Sequence, residues 1–146
     1  MNAVCGLNWN TIARLDESAL VNEGAIAEQF IGQHLLELLA DSPNRELNYW
    51  LREGRSNNVE LDFVITLNGQ IVPIEVKAGA TGSLKSLHQF MGEKGAPLAV
   101  RFDLNLPNRQ TINTRIKKNS QVRDIQYPLQ SLPLYLVERL PDLLDV

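Results

Sequence analysis

Two spacings of hydrophobic residues predict one long helix and a set of strands in the first half of the chain. Between Asn22 and Ala40 the apolar residues recur on one broad arc at about 100° per residue, which predicts a core-facing helix with Asn22 as its cap. The short apolar run Leu47–Leu51 predicts a strand. The runs Val59–Ile65 and Val72–Val76 alternate apolar residues with others, which is the period of a half-buried strand.

The dipeptide Asn68-Gly69 separates the two alternating runs and predicts a tight hairpin. A type I′ turn needs positive φ at both central positions, and Asn-Gly is the strongest signal for it. The turn also fixes which residues face each other across the two strands. The resulting register gives one face made only of apolar pairs: Ile65 with Val72, Phe63 with Ile74, and Leu61 with Val76.

The second half of the chain predicts fewer elements. Leu84 to Gly92 reads as a helix with Ser83 as its cap, and Leu98–Phe102 reads as a short strand. A final helix is expected between Pro133 and Leu144. The sequence therefore predicts an α/β fold in which a mixed β-sheet with a central hairpin is flanked by helices. Residues 1–18 are expected to be a lead-in or truncated linker, and residues 19–146 one domain.

Composition narrows the class of protein without naming a function. With 146 residues, 44% hydrophobic and 21% charged, the chain should fold around one core. A single cysteine, Cys5, excludes an internal disulfide and has no local base to make it a nucleophile. No apolar stretch reaches the about 18 residues that span a bilayer, and no export signal is visible, so a cytoplasmic protein is expected.

Charge is unevenly distributed along the chain, although the net charge is only −3. Residues 1–62 hold ten acidic and four basic residues, whereas residues 63–146 hold seven acidic and ten basic ones. Much of the positive charge lies between Arg101 and Arg123, a stretch rich in asparagine that we interpret as an exposed loop. A solvated connection is favoured for that loop over a surface that follows phosphates.

Three ionisable residues meet on the other face of the hairpin. The predicted register places Asp62 across from Glu75, with Lys77 two residues farther along the same side. Facing carboxylates, about 4.5–5.5 Å apart at Cβ, destabilise a sheet unless something neutralises them. A divalent cation such as Mg²⁺, or Mn²⁺ in its place, would do so, because two facing carboxylates together with several waters are a sufficient set of ligands.

Glu28 is predicted to point inward from the first helix. At helical spacing it falls between Leu35 and Leu39 on the apolar arc. An inward acid needs a partner, which could be Lys77 or a backbone group. The alternative favoured here is that Glu28 adds a further acid to the metal site.

Together these residues resemble a known nuclease superfamily. Asp62 followed by Glu75-Val76-Lys77 on a hairpin, with Glu28 on the preceding helix, is similar to the PD-(D/E)xK superfamily, except that Leu61 stands where proline would precede the aspartate. A closer resemblance is to the C-terminal domain of uncharacterised function found behind an AAA-type ATPase module in prokaryotic proteins. It is carried by four segments: Gly24–Phe30, Tyr49-Trp50, Glu60–Val64 and Pro73–Lys77.

The resemblance implies a restriction-endonuclease-like core and a Mg²⁺-dependent cleavage of phosphodiester bonds in DNA. Its site residues would be Asp62, Glu75 and Lys77, with Glu28 as the extra acid and Gln89 as a polar residue from the following helix. The metal ion would be held by Asp62, Glu75, the Val76 carbonyl and waters. No Gly-x-x-x-x-Gly-Lys-Ser/Thr loop occurs, so the chain carries no ATPase P-loop of its own. The alternative is a non-catalytic docking or regulatory module that acts beside an ATPase, in which the same charges form a structural network.

Overall fold

A computed structural model describes residues 17–43, 45–54 and 58–144, and in it helices cover a six-stranded mixed sheet. The helices are α1 (Glu17–Leu38), α2 (Lys85–Lys94), a 3₁₀ helix (Leu134–Arg139) and α3 (Leu140–Leu143). The strands are β1 (Asn48–Arg52), β2 (Val59–Leu67), β3 (Gln70–Val76), β4 (Ala99–Asp103), β5 (Asn108–Lys118) and β6 (Gln121–Pro133). The α/β class and the mixed sheet predicted from the sequence are confirmed.

The strand order across the sheet is β1-β2-β3-β4-β6-β5. The three strands β1, β2 and β3 form an antiparallel meander, β4 runs parallel to both β3 and β6, and β5 pairs antiparallel with β6 at the far edge. Helix α2 makes the crossover between the parallel strands β3 and β4, the connection that such strands require. No helix in the described part of the chain is long and apolar enough to cross a membrane.

Two hydrophobic clusters lie on opposite faces of the sheet. The larger one packs α1 and the 3₁₀ helix on β3 and β4, with Ile31, Leu35, Ile74 and Phe102 fully buried at its centre. The smaller cluster packs α2 on the other face, with Leu87 and six other buried residues. Each helix face is buried because its apolar stripe has a strand surface to cover, which is the usual reason for a layered α/β fold.

Helix α1 begins earlier than its hydrophobic period predicts. Asn22 lies inside the helix, so its prediction as a cap is wrong, and the last helical residue is Leu38 rather than Ala40. The preceding residues include alanine and leucine, good helix formers that continue the helix without a break. Of the predicted lead-in, Glu17 and Ser18 belong to α1, while residues 1–16, with Cys5, lie outside the described residues.

The predicted hairpin is confirmed for the half nearest its turn. Asn68 and Gly69 have φ values of 50° and 77°, as a type I′ turn requires. The pairing runs in the predicted register from Leu67–Gln70 to Phe63–Ile74. In this register Pro73 faces Val64 at a position that needs no cross-strand N–H, which explains how a proline is accommodated within the sheet.

Leu61 does not share the apolar face with Val76, so that part of the predicted register is wrong. Leu61 is buried in the cluster under α2, whereas Val76 is buried in the cluster under α1. The cause is a bulge in β2: Asn48 pairs with Val64, and Trp50, two residues later, pairs with Leu61, three residues earlier. One extra residue in β2 reverses the side-chain alternation beyond it.

The stretch between Arg101 and Arg123 is a strand pair and not the loop that its composition predicted. Strands β5 and β6 pair continuously from Asn108–Ser131 to Lys118–Gln121 around a turn at Asn119 and Ser120, both with positive φ. The sequence signal was an alternation on the side that faces α2, where the residues packed into the core are Ile112, Ile116, Ile125, Tyr127 and Leu129. The exposed basic and amide residues between them conceal that alternation.

The two remaining helix predictions hold in outline. Helix α2 follows the predicted position, but its N-cap residue is Leu84, and Ser83 Oγ accepts a hydrogen bond from the Lys85 N–H at 3.3 Å. The final segment is mostly 3₁₀ rather than α: Pro133 ends β6, the 3₁₀ turn follows, and only Leu140–Leu143 is α-helical.

Helix α2 approaches the sheet closely at Gly92, and we expect alanine there to destabilise the protein. A Cβ at this position would lie 2.1 Å from Ile116 Cδ1. Because Ile116 is buried and stiff, Gly92→Ala should lower the free energy of unfolding by about 1–3 kcal/mol in urea titrations. Gly92→Ala/Ile116→Val, which removes the clashing methyl group, should recover part of this loss.

Gly24→Ala on α1 is the control for the Gly92 variant. No atom lies within 4 Å of a Cβ built there, so it should raise stability by about 0.5–1 kcal/mol through helix propensity alone. Equal stability of Gly92→Ala and the wild type would contradict the close approach.

Candidate functional site

The predicted acidic residues lie where β2 and β3 stop pairing regularly. Beyond the Phe63–Ile74 pair the bulge in β2 reorients Asp62, and Asp62 Oδ2 accepts a hydrogen bond of 2.7 Å from the Val76 backbone N–H. This side-chain bond satisfies a backbone donor that faces β2. Asp62 is therefore held at the end of β3 by the fold itself, a constraint that the hairpin pattern alone does not show.

Glu75 is the most enclosed acid of the group. Only 4% of it is exposed, its Oε1 accepts a hydrogen bond from Lys77 Nζ, and its Oε2 is buried without a hydrogen-bond partner among the described residues. A buried carboxylate oxygen without a donor is costly, because its lost hydration is not replaced. The structure thus brings Asp62, Glu75 and Lys77 together, as the sequence predicted.

Burial and mutual repulsion shift the proton affinity of both acids. Burial raises the pKa of Glu75 to about 7, the nearby Asp62 charge adds to the rise, and Lys77 opposes it. Burial also raises the pKa of Asp62, against the lowering effect of its bond from Val76 N–H. A carboxyl group that titrates near neutral pH beside a second acid is a common feature of functional sites.

Glu28 lies near this pair but does not point into the core. Its side chain is exposed, so the predicted inward direction is wrong, and the neighbouring buried residue on α1 is Ala27. Partial burial raises the pKa of Glu28, and the charge of Asp62 raises it further. Glu28 is thus a solvent-exposed acid within electrostatic reach of Asp62 and Glu75.

Gln89 is not brought to the acids. Its amide donates hydrogen bonds to Glu93 Oε1 and to the Lys117 carbonyl, so its bonds in the described structure connect α2 with itself and with β5. The adjacent His88 is joined to the buried Tyr127 hydroxyl at 2.7 Å. Burial lowers the pKa of His88 and raises that of Tyr127. The role of Gln89 stays a prediction.

Sequence reasoning missed the residues that support Lys77 from the loop after β3. The aliphatic part of Lys77 lies against Gly82, whose φ is 153°, and a Cβ there would come within 2.8 Å of Lys77 Cδ. Farther along the loop, the Ala80 carbonyl accepts bonds from Arg101 Nη2 and Asn105 Nδ2. The position of Lys77 therefore depends on a glycine contact and on a loop tied to β4.

Arg101 joins this loop to a buried carboxylate. It is the register partner of Glu75 on the neighbouring strand, and its Nε lies 2.7 Å from Oδ2 of Asp103, whose side chain is 2% exposed. Asp103 also accepts two hydrogen bonds from Asn105. The available sequence signal was Arg101 itself, a single charged residue in the apolar run Leu98–Phe102.

The site formed by Asp62, Glu75 and Lys77 contains fewer metal ligands than a site in which protein side chains fill the whole coordination shell of a metal ion. Within residues 17–43, 45–54 and 58–144, no three histidine, cysteine or acidic side chains are grouped closely enough to hold a metal ion. The two acids of the group are Asp62, whose Oδ2 is bonded to the Val76 N–H, and Glu75, whose Oε2 has no hydrogen-bond partner among the described residues. Only an ion that keeps several waters fits such a set.

Comparison with known protein families gives a family match for the region of the chain that contains this site. A family described as a domain of unknown function, DUF4143, matches residues 23–127, which is well over half of the chain. The chain belongs to the DUF4143 family. No curated protein and no solved structure matches it.

The DUF4143 match covers the site and most of the sheet. It begins before Glu28, includes the β2–β3 hairpin and the Arg101–Asp103 pair, and ends at Tyr127 on β6. The 3₁₀ helix and α3, which close the cluster under α1, follow the matched DUF4143 region.

Proposed function

We propose that this DUF4143 domain is a Mg²⁺-dependent nuclease that hydrolyses phosphodiester bonds in DNA, on a restriction-endonuclease-like core of the PD-(D/E)xK type. The observation that carries the proposal is the buried Glu75 carboxylate, with its unpartnered Oε2, held beside Asp62 and Lys77 at the end of a strand. The mixed sheet with its central hairpin and flanking helices supports it.

The residues present fit a hard divalent cation with few protein ligands. Mg²⁺ or Mn²⁺ commonly binds through one or two carboxylates and keeps several waters, so Asp62, Glu75 and the Val76 carbonyl would be a sufficient set. The unpartnered Glu75 Oε2 is the oxygen that gains most from a cation. Such an ion would supply a bound water of lowered pKa and would neutralise charge on the phosphate.

The remaining side chains have roles that follow from their positions. The Val76 N–H fixes one oxygen of Asp62, which leaves its other oxygen free of that bond. The Lys77 ammonium, packed along Gly82, would hold the attacking water or stabilise negative charge on a phosphate oxygen. Glu28, exposed and within electrostatic reach of Asp62, would be a further acid at the site.

A specific contact favours the rival function of a docking or regulatory module beside an AAA-type ATPase. Lys77 already neutralises one oxygen of Glu75, as it would in a purely structural charge network. In that case the domain would bind no divalent ion, and the acids would serve only the fold.

Calorimetric titration with Mg²⁺ or Mn²⁺ separates the two functions. The wild type should bind one ion, and Asp62→Asn should weaken binding by at least about tenfold, because one of two charged ligands is lost. Asp41→Asn, at an exposed position after α1, is the matched control and should bind as the wild type does. No binding to the wild type would leave only the docking function.

Cleavage of plasmid DNA in Mg²⁺ then tests the chemistry. Lys77→Met keeps the aliphatic packing on Gly82 but removes the ammonium, and we expect cleavage to slow by about a hundredfold or more. Lys94→Met, an exposed lysine at the end of α2, should cleave at the wild-type rate. Equal rates for both variants would exclude Lys77 from the reaction.

A further inference from the structure

The β5–β6 hairpin concentrates positive charge in an otherwise acidic protein. Residues 108–126 contain five basic residues and one acid, Asp124, whereas the rest of the chain contains nine basic and sixteen acidic residues. The five basic residues are Arg109, Arg115, Lys117, Lys118 and Arg123. Such a separation of charge favours a polyanion as the partner of this hairpin over the rest of the surface.

The outer part of the hairpin projects as a two-stranded ribbon. Only Leu129–Pro133 of β6 pair with β4, so residues 121–128 pair with β5 alone. One face of the ribbon packs on α2 through Ile116 and Ile125. The β5 residues of the opposite face are all exposed, and three of the five are basic: Arg109, Thr111, Asn113, Arg115 and Lys117.

We propose that the β5–β6 ribbon binds duplex DNA by entering its major groove. That groove, about 12 Å wide, admits a two-stranded ribbon, and arginine, lysine, asparagine and threonine are the side chains that bond phosphates and base edges there. The major groove of A-form RNA is too narrow for such an element. Single-strand binders stack bases on exposed aromatic rings, and residues 108–126 contain none.

The exposed face of the ribbon and the proposed cleavage site lie on opposite sides of the sheet. Glu75, Arg101 and Ser131 are register partners across β3, β4 and β6, and their side chains share the side covered by α2. Arg109 and Lys117 lie on the other side of the sheet. DNA binding by the ribbon is therefore proposed independently of the nuclease site.

A second copy of the chain is the main competing occupant, since β5 is an edge strand of the sheet. Pairing of β5 with β5 of another copy would place rows of arginine and lysine against each other. Like charges across strands destabilise pairing, and charged side chains on an edge strand are a common guard against it. The charge pattern therefore favours DNA over self-association.

Fluorescence anisotropy with a labelled DNA duplex of about two helical turns tests the ribbon without catalysis. In EDTA, the wild type should bind the duplex more tightly than the same single strand or an RNA duplex. Arg109→Glu/Lys117→Glu, both at exposed positions on the proposed binding face, should weaken duplex binding by about tenfold or more and flatten its salt dependence. Arg45→Glu/Lys94→Glu changes the net charge equally outside the ribbon and should shift binding by less than about threefold.

Three results would overturn the proposal: equal weakening by both double variants, tighter binding to single-stranded DNA or to RNA, or a dimer that the ribbon variant dissociates while duplex binding is absent. Thermal unfolding of both double variants must match the wild type. The assay in EDTA also separates this proposal from the nuclease proposal. If duplex binding depends on the ribbon but the protein never cleaves DNA in Mg²⁺, the result would support DNA binding by the ribbon and refute the proposed nuclease reaction.

Discussion

Replacing Arg101 with alanine is expected to lower the free energy of unfolding by about 3 kcal/mol or more, measured by urea denaturation at pH 7. The change leaves the Asp103 carboxylate, 2% exposed, without its ion pair, and removing one partner of a buried pair costs about 3–5 kcal/mol. The two bonds from Asn105 to Asp103 remain and place the expectation at the lower end. The Ala80 carbonyl also loses the bond from Arg101 Nη2, so the loop after Lys77 is held less firmly.

The exposed ion pair of Arg115 with Asp124 is the matched control for Arg101. Its N–O distance of 2.8 Å is almost the same, but its side chains are 75% and 80% exposed, and such pairs contribute about 0–1 kcal/mol. Arg101→Ala/Asp103→Asn, which removes the uncompensated charge, should recover part of the stability lost in Arg101→Ala. If Arg101→Ala lowers the free energy of unfolding by no more than Arg115→Ala does, the Arg101–Asp103 pair does not stabilise the site.

The parts of the fold that sequence reasoning predicted are those set by local chemistry. The turn at Asn68-Gly69 determines its own φ values and therefore the register of its nearest pairs. Asp62, Glu75 and Lys77 were predicted as a group because all three lie within this hairpin. The apolar period of α1 was also sufficient to predict a helix that packs on the sheet.

The parts that were missed depend on pairing with distant segments. The bulge in β2 is defined against β1, where Asn48 and Trp50 pair with Val64 and Leu61, and no pattern within β2 reveals it. In the part of the β5–β6 pair that lies beyond β4, the residues packed into the core, Ile112, Ile116, Ile125 and Tyr127, lie on the side covered by α2. The residues that alternate with them are mostly polar and exposed, and that polarity is typical of a loop.

The direction of Glu28 and the contribution of Arg101 were also beyond a local pattern. A helical period gives the side of α1 on which Glu28 lies, but its burial depends on which segments pack over that side in the folded protein, and Glu28 is exposed. Arg101 meets the site only because β4 returns parallel to β3 and places it beside Glu75. Both outcomes follow from tertiary position, and hydrophobic spacing carries no information about it.

Glu75→Gln is expected to change how stability depends on pH. The pKa of Glu75 is about 7 in the folded protein, above its ordinary value of 4.5, because burial and the Asp62 charge disfavour its ionised form. A raised folded-state pKa means that the stabilising contribution is fully present below about pH 4.5 and is lost as the pH rises through 7. Urea denaturation in EDTA should therefore show Glu75→Gln gaining about 2–3 kcal/mol on the wild type between pH 5 and pH 8.

Glu37→Gln, at an exposed position on α1, is the control and should stay parallel to the wild type over the same range. Parallel curves for Glu75→Gln and the wild type would contradict the raised pKa. The same titration connects stability to the proposed metal, because a cation competes with the proton for the Glu75 carboxylate. Adding Mg²⁺ at pH 8 should raise the free energy of unfolding of the wild type and leave Glu75→Gln nearly unchanged, and an equal response of the two proteins would place any bound ion away from Glu75.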